Sequence, residues 1–131
     1  MYCMDTNILI DLLRGKKEIV EKTKKLKDYY IDISITEITL FELYKGVFLT
    51  NNPNEIIQKI EDLIKNIEIL KTNKQAYLIF GKTYSELRKK GNLIEDFDLI
   101  IASICIANNK TLITKNKAHF EKISSLKLEI W

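Results

Sequence analysis

The chain has 131 residues, of which 46% are hydrophobic and 30% charged. That length suits a single domain (1–131) with one core, and apolar residues recur throughout, which excludes a disordered polypeptide. The net charge of +3 is carried mostly by lysines; it fits an anionic partner such as nucleic acid without deciding for one.

Tyr2 to Met4 reads as a short strand, and Asn7 to Arg14 as a helix stopped at Gly15. Glu18 to Lys27 is lysine-rich with a single apolar stripe, the pattern of a surface helix. Tyr30 to Ile35 ("YIDISI") alternates as a strand does, and Thr36 to Leu49 predicts the next helix. Pro53 then opens a helix to about Lys65, Ile67 to Leu70 is a strand, and Thr72 to Lys90 is a long amphipathic helix closed by Gly91. Asp98 to Asn108 is apolar almost all round and so predicts a buried helix. Thr111 to Thr114 and Leu126 to Ile130 complete about five strands.

Strands alternate with helices and no hairpin signal separates them. The expected fold is therefore α/β, a three-layer α/β/α sandwich around a mostly parallel sheet. No signal peptide is legible at Met1, and the longest apolar run, Leu99 to Ala107, is too short to span a bilayer. The expectation is a cytoplasmic protein with no membrane partner. Cys3 and Cys105 lie in apolar stretches without a CxxC or Cys/His cluster, which predicts buried free thiols and no thiolate metal site.

Sites in such folds form beyond the carboxyl ends of strands. Asp5 stands at such an edge. It can cap the following helix, but Thr6 and Asn7 can also serve the helix start and leave its carboxylate free. The spacing from Ser34 to Glu37 fits a capping box, which gives Glu37 a structural task. Glu42 has none. It sits with Thr39 and Gly46 in a narrow polar slit of a helix otherwise covered by Ile38, Leu40, Phe41, Leu43, Tyr44, Val47, Phe48 and Leu49. Gly46 would let something approach closely on that face.

Asp96 and Asp98 precede the most apolar helix, where either can cap; Asp98 enters the core with it, whereas Asp96 lies further out. Thr114 and Asn116 follow a strand and offer neutral partners for a metal or a water. His119 is the only histidine and has no nucleophile nearby in sequence. Carboxylates gathered in one place repel one another, and a hard divalent cation relieves that repulsion; oxygen ligands favour Mg²⁺ or Mn²⁺.

Four segments in order resemble the PIN-domain family, in particular the VapC-type toxins of toxin–antitoxin pairs. They are "MDTNILIDLLRG" (Met4 to Gly15), "ISITEITLFELYKG" (Ile33 to Gly46), "DFDLIIASICIANNKTLITKN" (Asp96 to Asn116) and "HFEKISSLKLEIW" (His119 to Trp131). The resemblance implies a Mg²⁺- or Mn²⁺-dependent endoribonuclease that cleaves RNA, is inhibited by a cognate VapB-like antitoxin and is commonly a homodimer. Asp5, Glu42 and Asp98 match the first, second and third acids, with Asp5 and Asp98 as principal metal ligands. Asn116 stands where the family often has a fourth aspartate. An RNA-processing nuclease outside toxin–antitoxin systems and a silent PIN-like binding module are the alternatives. A receiver-like phosphoacceptor domain is disfavoured, because no acid follows "IEIL".

Overall fold

A computed structural model describes residues 1–131. In chain order it comprises β1 (Tyr2–Met4), α1 (Thr6–Leu13), α2 (Lys17–Asp28), β2 (Ile33–Thr36), α3 (Glu37–Val47) and α4 (Pro53–Ile64). There follow β3 (Glu68–Leu70), α5 (Lys74–Lys89), α6 (Asp96–Ala107), β4 (Thr111–Thr114), α7 (Lys117–Phe120) and β5 (Lys127–Ile130). The strands form one sheet in the order β3-β2-β1-β4-β5, and every neighbouring pair is parallel.

Both faces of the sheet are covered because successive side chains in a strand point to opposite sides. Cys3 and Leu112 join a core cluster with Ala76 and Leu87 of α5 and Leu99, Ile101 and Cys105 of α6. Met4 and Ile113, one residue further on, join the opposite cluster with Ile8 of α1, Ile19 of α2, Leu43 of α3 and Ile60 of α4. The expected three-layer α/β/α arrangement follows. Chain order runs outward from β1 through β2 to β3, then restarts on the other side with β4 and β5. The crevice at the carboxyl ends of β1 and β4 is therefore the topological switch point, where ligand sites of such sheets form.

Element boundaries differ from the expected ones where a local feature overrides periodicity. Tyr30 takes a left-handed φ of 55° as the chain leaves α2, so β2 begins only at Ile33. Gly15 and Gly91 close their helices at φ values of 71° and 68°, as their positions suggested. The Ser34–Glu37 capping box does not form: Ser34 lies within β2, and Thr36 caps α3 by accepting from the Thr39 backbone N–H. Glu37 instead accepts from the backbone N–H and the hydroxyl of Thr72, tying α3 to the loop after β3. Those two bonds hold its carboxyl below the usual range.

The apolar cover read around most of α3 does not bury the helix on most sides. Phe41 is 67% exposed, and Phe48 and Leu49 just beyond the helix are more exposed still. Apolar residues all round a helix do not reveal which side meets the core, and only Thr39, Leu43 and Val47 of α3 are buried. Gly46 is exposed, and a Cβ there would meet nothing within this chain. The single turn α7 was not expected; Phe120, fully buried, pins it to the core.

Candidate active site

The end of β1 delivers Asp5 to the switch point. Its backbone there is extended (φ −69°, ψ 158°), and its Oδ1 accepts from the Thr6 backbone N–H at 2.8 Å. Asp5, not Thr6 or Asn7, is thus the N-cap of α1, which corrects the reading that left it free. Its second oxygen is engaged as well: Oδ2 accepts a 2.6 Å hydrogen bond from the Thr114 hydroxyl at the end of β4. Thr114 Oγ1 in turn accepts from the Asn116 backbone N–H and the Asn7 side-chain amide.

Asp5 is only 4% exposed. Burial pushes its carboxyl up to about 6, the bonds from Thr114 and Thr6 oppose that rise, and the charges of Asp98 and Glu42 add to it. No lysine or arginine hydrogen-bonds to or forms an ion pair with this carboxylate.

Glu42 is half-buried on α3, and its Oε1 accepts a 2.6 Å hydrogen bond from the Thr6 hydroxyl. Thr39 Oγ1 lies 3.2 Å from the same hydroxyl, so the polar slit read on this helix is a threonine relay between α3 and α1. Asp98, in the first turn of α6, is half-buried, while Asp96 beside it is exposed. Neither is the cap; Glu95 occupies that position without a side-chain bond. Asp98 Oδ2 lies 2.9 Å from His119 Nδ1, and the Asn116 side-chain amide lies 2.8 Å from that same ring nitrogen.

One cleft of about 220 Å³ is lined by Asp5, Glu42, Asp98 and Asn116, together with Thr6, Asn7 and Ile10. The structure therefore brings the four sequence-derived candidates together. A larger concavity of about 410 Å³ along Leu40, Phe41, Tyr44 and Ile69 is mostly apolar, and another of about 340 Å³ sets Asp32 and Glu68 beside Lys27 without a third acid. As they stand, no three acidic, histidine or cysteine side chains close to the spacing of a shared ion. Glu42 Oε2 and Asp98 Oδ1, however, take no hydrogen bond from the protein.

This donor set fits a hard divalent cation. It is all oxygen, and its most buried member carries a pKa raised by burial and by the neighbouring carboxylates, with no cation paired to it. Sequence reading missed the hydroxyls of Thr6 and Thr114 as hydrogen-bond donors to the acids, and it gave no task to His119. The "TN" after Asp5 and the threonine ending "TLIT" were the available signals for the hydroxyls; nothing local signalled the histidine.

A family model described as "PIN domain" matches residues 2–126. "Ribonuclease VapC1" of Haemophilus influenzae (strain R2866) is 34% identical across all of this chain and 98% of its own length. "Ribonuclease VapC2" of Rickettsia felis is 31% identical, again across all of this chain and 98% of its own. Among solved structures, VapBC2 from Rickettsia felis bound to a DNA fragment from their promoter contains a similar chain. It superposes with a TM-score of 0.92 at 30% identity, covering 99% of this chain and 98% of that one.

Proposed function

The chain belongs to the PIN-domain family, and from that premise we propose that it is a VapC-type endoribonuclease, the toxin of a toxin–antitoxin pair. The observation that carries this reading is the convergence of Asp5, Glu42 and Asp98, from three distant chain segments, on one cleft at the switch point. The relatives named as VapC ribonucleases match end to end, which supports carrying the activity over to the whole chain.

Asp5 and Asp98 would be the principal ligands of one Mg²⁺ or Mn²⁺ ion, with Glu42 beside them. Such an ion, when bound, offsets the carboxylate charges, acidifies an attacking water and polarises a phosphodiester. The chain's own groups prepare the place. Thr114 and the Thr6 backbone N–H fix both oxygens of Asp5, so its carboxylate plane is set before anything binds. The Thr6 hydroxyl fixes one oxygen of Glu42 and leaves the other available. Asn116 places a neutral amide in the cleft, in hydrogen-bond reach of which a phosphate oxygen or water can be held without adding negative charge. The net charge of +3 favours RNA through sequence-independent phosphate attraction, which salt weakens.

A VapB-like antitoxin is the expected protein partner. The exposed apolar side chains Phe41, Phe48, Leu49, Tyr77 and Leu78 support a homodimer or antitoxin contact on the α3 and α5 side. No helix is long and apolar enough to cross a membrane, and RNA as substrate makes the cytoplasm the working compartment.

Cleavage of RNA by the purified protein in Mg²⁺ or Mn²⁺, beside excess EDTA and an Asp98→Asn control, tests this reading. Cleavage is expected only with the metal and only with Asp98 intact. Persistent cleavage in EDTA would overturn the metal mechanism, and a fully active Asp98→Asn protein would show that the wrong carboxylate was chosen.

A further inference from the structure

His119 takes part in no step described above, yet its ring lies against two of the residues that line the cleft. Nδ1 is 2.9 Å from Asp98 Oδ2 and 2.8 Å from the Asn116 side-chain amide. The His119 side chain is 38% exposed and that of Asp98 14%, so the contact lies at the cleft rim, partly out of water. The ring is held from behind, because the next residue, Phe120, is fully buried and anchors α7 in the core cluster with Ile123 and Leu126.

One ring nitrogen cannot at once accept a hydrogen bond from an amide and donate one to a carboxylate. A carboxylate only accepts, so the contact with Asp98 requires a hydrogen on Nδ1. An unprotonated Nδ1 would instead set two lone pairs against each other at 2.9 Å. Asn116 then meets the ring with its carbonyl oxygen, which a turn of the side-chain amide supplies in the same position. In that arrangement Nδ1–H is shared between Asp98 and Asn116. The third acid is fixed by one oxygen and keeps Oδ1 free.

We propose that His119 is a positioning residue that orients Asp98, through Nδ1–H, for a divalent cation. The inference rests on the metal-centre reading above. It assigns to α7 and Asn116 a task that the acids alone do not have: ordering the one ligand that no threonine holds. Asp5 is fixed by Thr114 and Glu42 by Thr6, while Asp98 has only His119. Partners that orient ligands in this way typically change metal affinity by about 10–100-fold when removed.

The test is calorimetric titration of Mn²⁺ alone into wild type, His119→Ala, His119→Asn and His119→Gln, with the spin-resonance spectrum of bound Mn²⁺ as a second readout. An Asn side-chain amide can place an N–H where Nδ1 stands, whereas Gln reaches only toward the Nε2 position. The expected result is a Kd weakened about 10-fold by Ala, largely restored by Asn and not by Gln. For a short RNA, kcat should fall in the same order while KM stays near the wild-type value. Should His119→Ala fail to fold, the difference between Asn and Gln decides. Equal Mn²⁺ affinity in wild type and Ala, or an Asn variant no better than Gln, would overturn the role of His119 alone. A wild type that binds no Mn²⁺ would overturn the metal centre and this proposal with it.

Discussion

The first helix joins two buried carboxylates with opposite surroundings. Asp5, at its start, is 4% exposed and Asp11, near its end, 7% exposed. Asp11 receives Lys115 Nζ at 2.6 Å and Lys16 Nζ at 3.6 Å, and the hydrogen bond from Lys115 is the main reason its carboxyl lies below the usual range. Asp5 has two good hydrogen bonds but no cation; burial pushes its carboxyl up to about 6, and the charges of Asp98 and Glu42 across the cleft add to the rise. Depth and pairing together separate the two ends: desolvation dominates at Asp5, and the hydrogen bond from Lys115 dominates at Asp11. A buried carboxylate supplied with lysines is part of the fold, whereas one given hydroxyls and more carboxylates is prepared for a charge from outside.

The largest expected effect separates the two aspartates by activity. Asp5→Asn should lower metal-dependent RNA cleavage on the order of 10²–10³-fold, while Asp11→Asn leaves it within a few-fold; single-turnover assays on one RNA measure both. If Asp11→Asn were as damaging, the distinction between a fold carboxylate and a site carboxylate would break down.

The next effect is on stability, and its sign differs between the two ends. For Asp5 the folded-state pKa is raised. Its favourable contribution is complete below about 3.8 and is lost as pH rises through about 6. Above that range the metal-free wild type carries a cost of up to about 3 kcal/mol that an asparagine does not. Denaturant unfolding of metal-free Asp5→Asn should show a gain over wild type at pH 7.5 that shrinks as pH falls toward 4. Asp11 has a lowered pKa, so its contribution is present above the unfolded value and is lost as pH falls through the folded one. Asp11→Asn should accordingly cost about 1–2 kcal/mol at pH 7.5 and progressively less in acid. Parallel pH profiles for the two variants would contradict the comparison.

Smaller effects sharpen it. Thr114→Val removes the hydrogen bond that opposes the rise in the Asp5 carboxyl, so its pKa should climb further, and Mn²⁺ affinity at pH 7 should drop several-fold, read by calorimetry. Glu37→Gln disturbs a carboxylate already served by Thr72, outside the cleft. It should change stability by under about 1 kcal/mol and cleavage not at all.

Much of this was legible in the chain because an α/β fold converts local pattern into position. An acid directly after a strand of a parallel sheet falls at its carboxyl edge, which located Asp5, and Asn116 followed from "TLIT" in the same way. Asp98 was legible as the acid that enters the core with a helix apolar on all sides. The partners of these groups were not legible, since they are set by tertiary contacts. Thr114 reaches Asp5 across 109 residues, Thr6 reaches Glu42 across 36, and no local spacing encodes either. His119 lies on a single helical turn too short to show periodicity. The exposed Phe41, Phe48 and Leu49 defeated the helical wheel for a related reason: apolar residues all round give it no direction.

The most direct measurement is the unfolding free energy of wild type and Asp5→Asn at pH 7.5, in EDTA and in saturating Mn²⁺. A cation that binds the folded wild type raises its stability by about 2.7 kcal/mol at 100 times Kd, and the asparagine variant should gain little. The order is thus expected to reverse, with Asp5→Asn more stable in EDTA and wild type more stable in Mn²⁺. An Asp5→Asn protein less stable in EDTA, or equal stabilisation of both proteins by Mn²⁺, would contradict the claim that Asp5 is a carboxylate prepared for a cation.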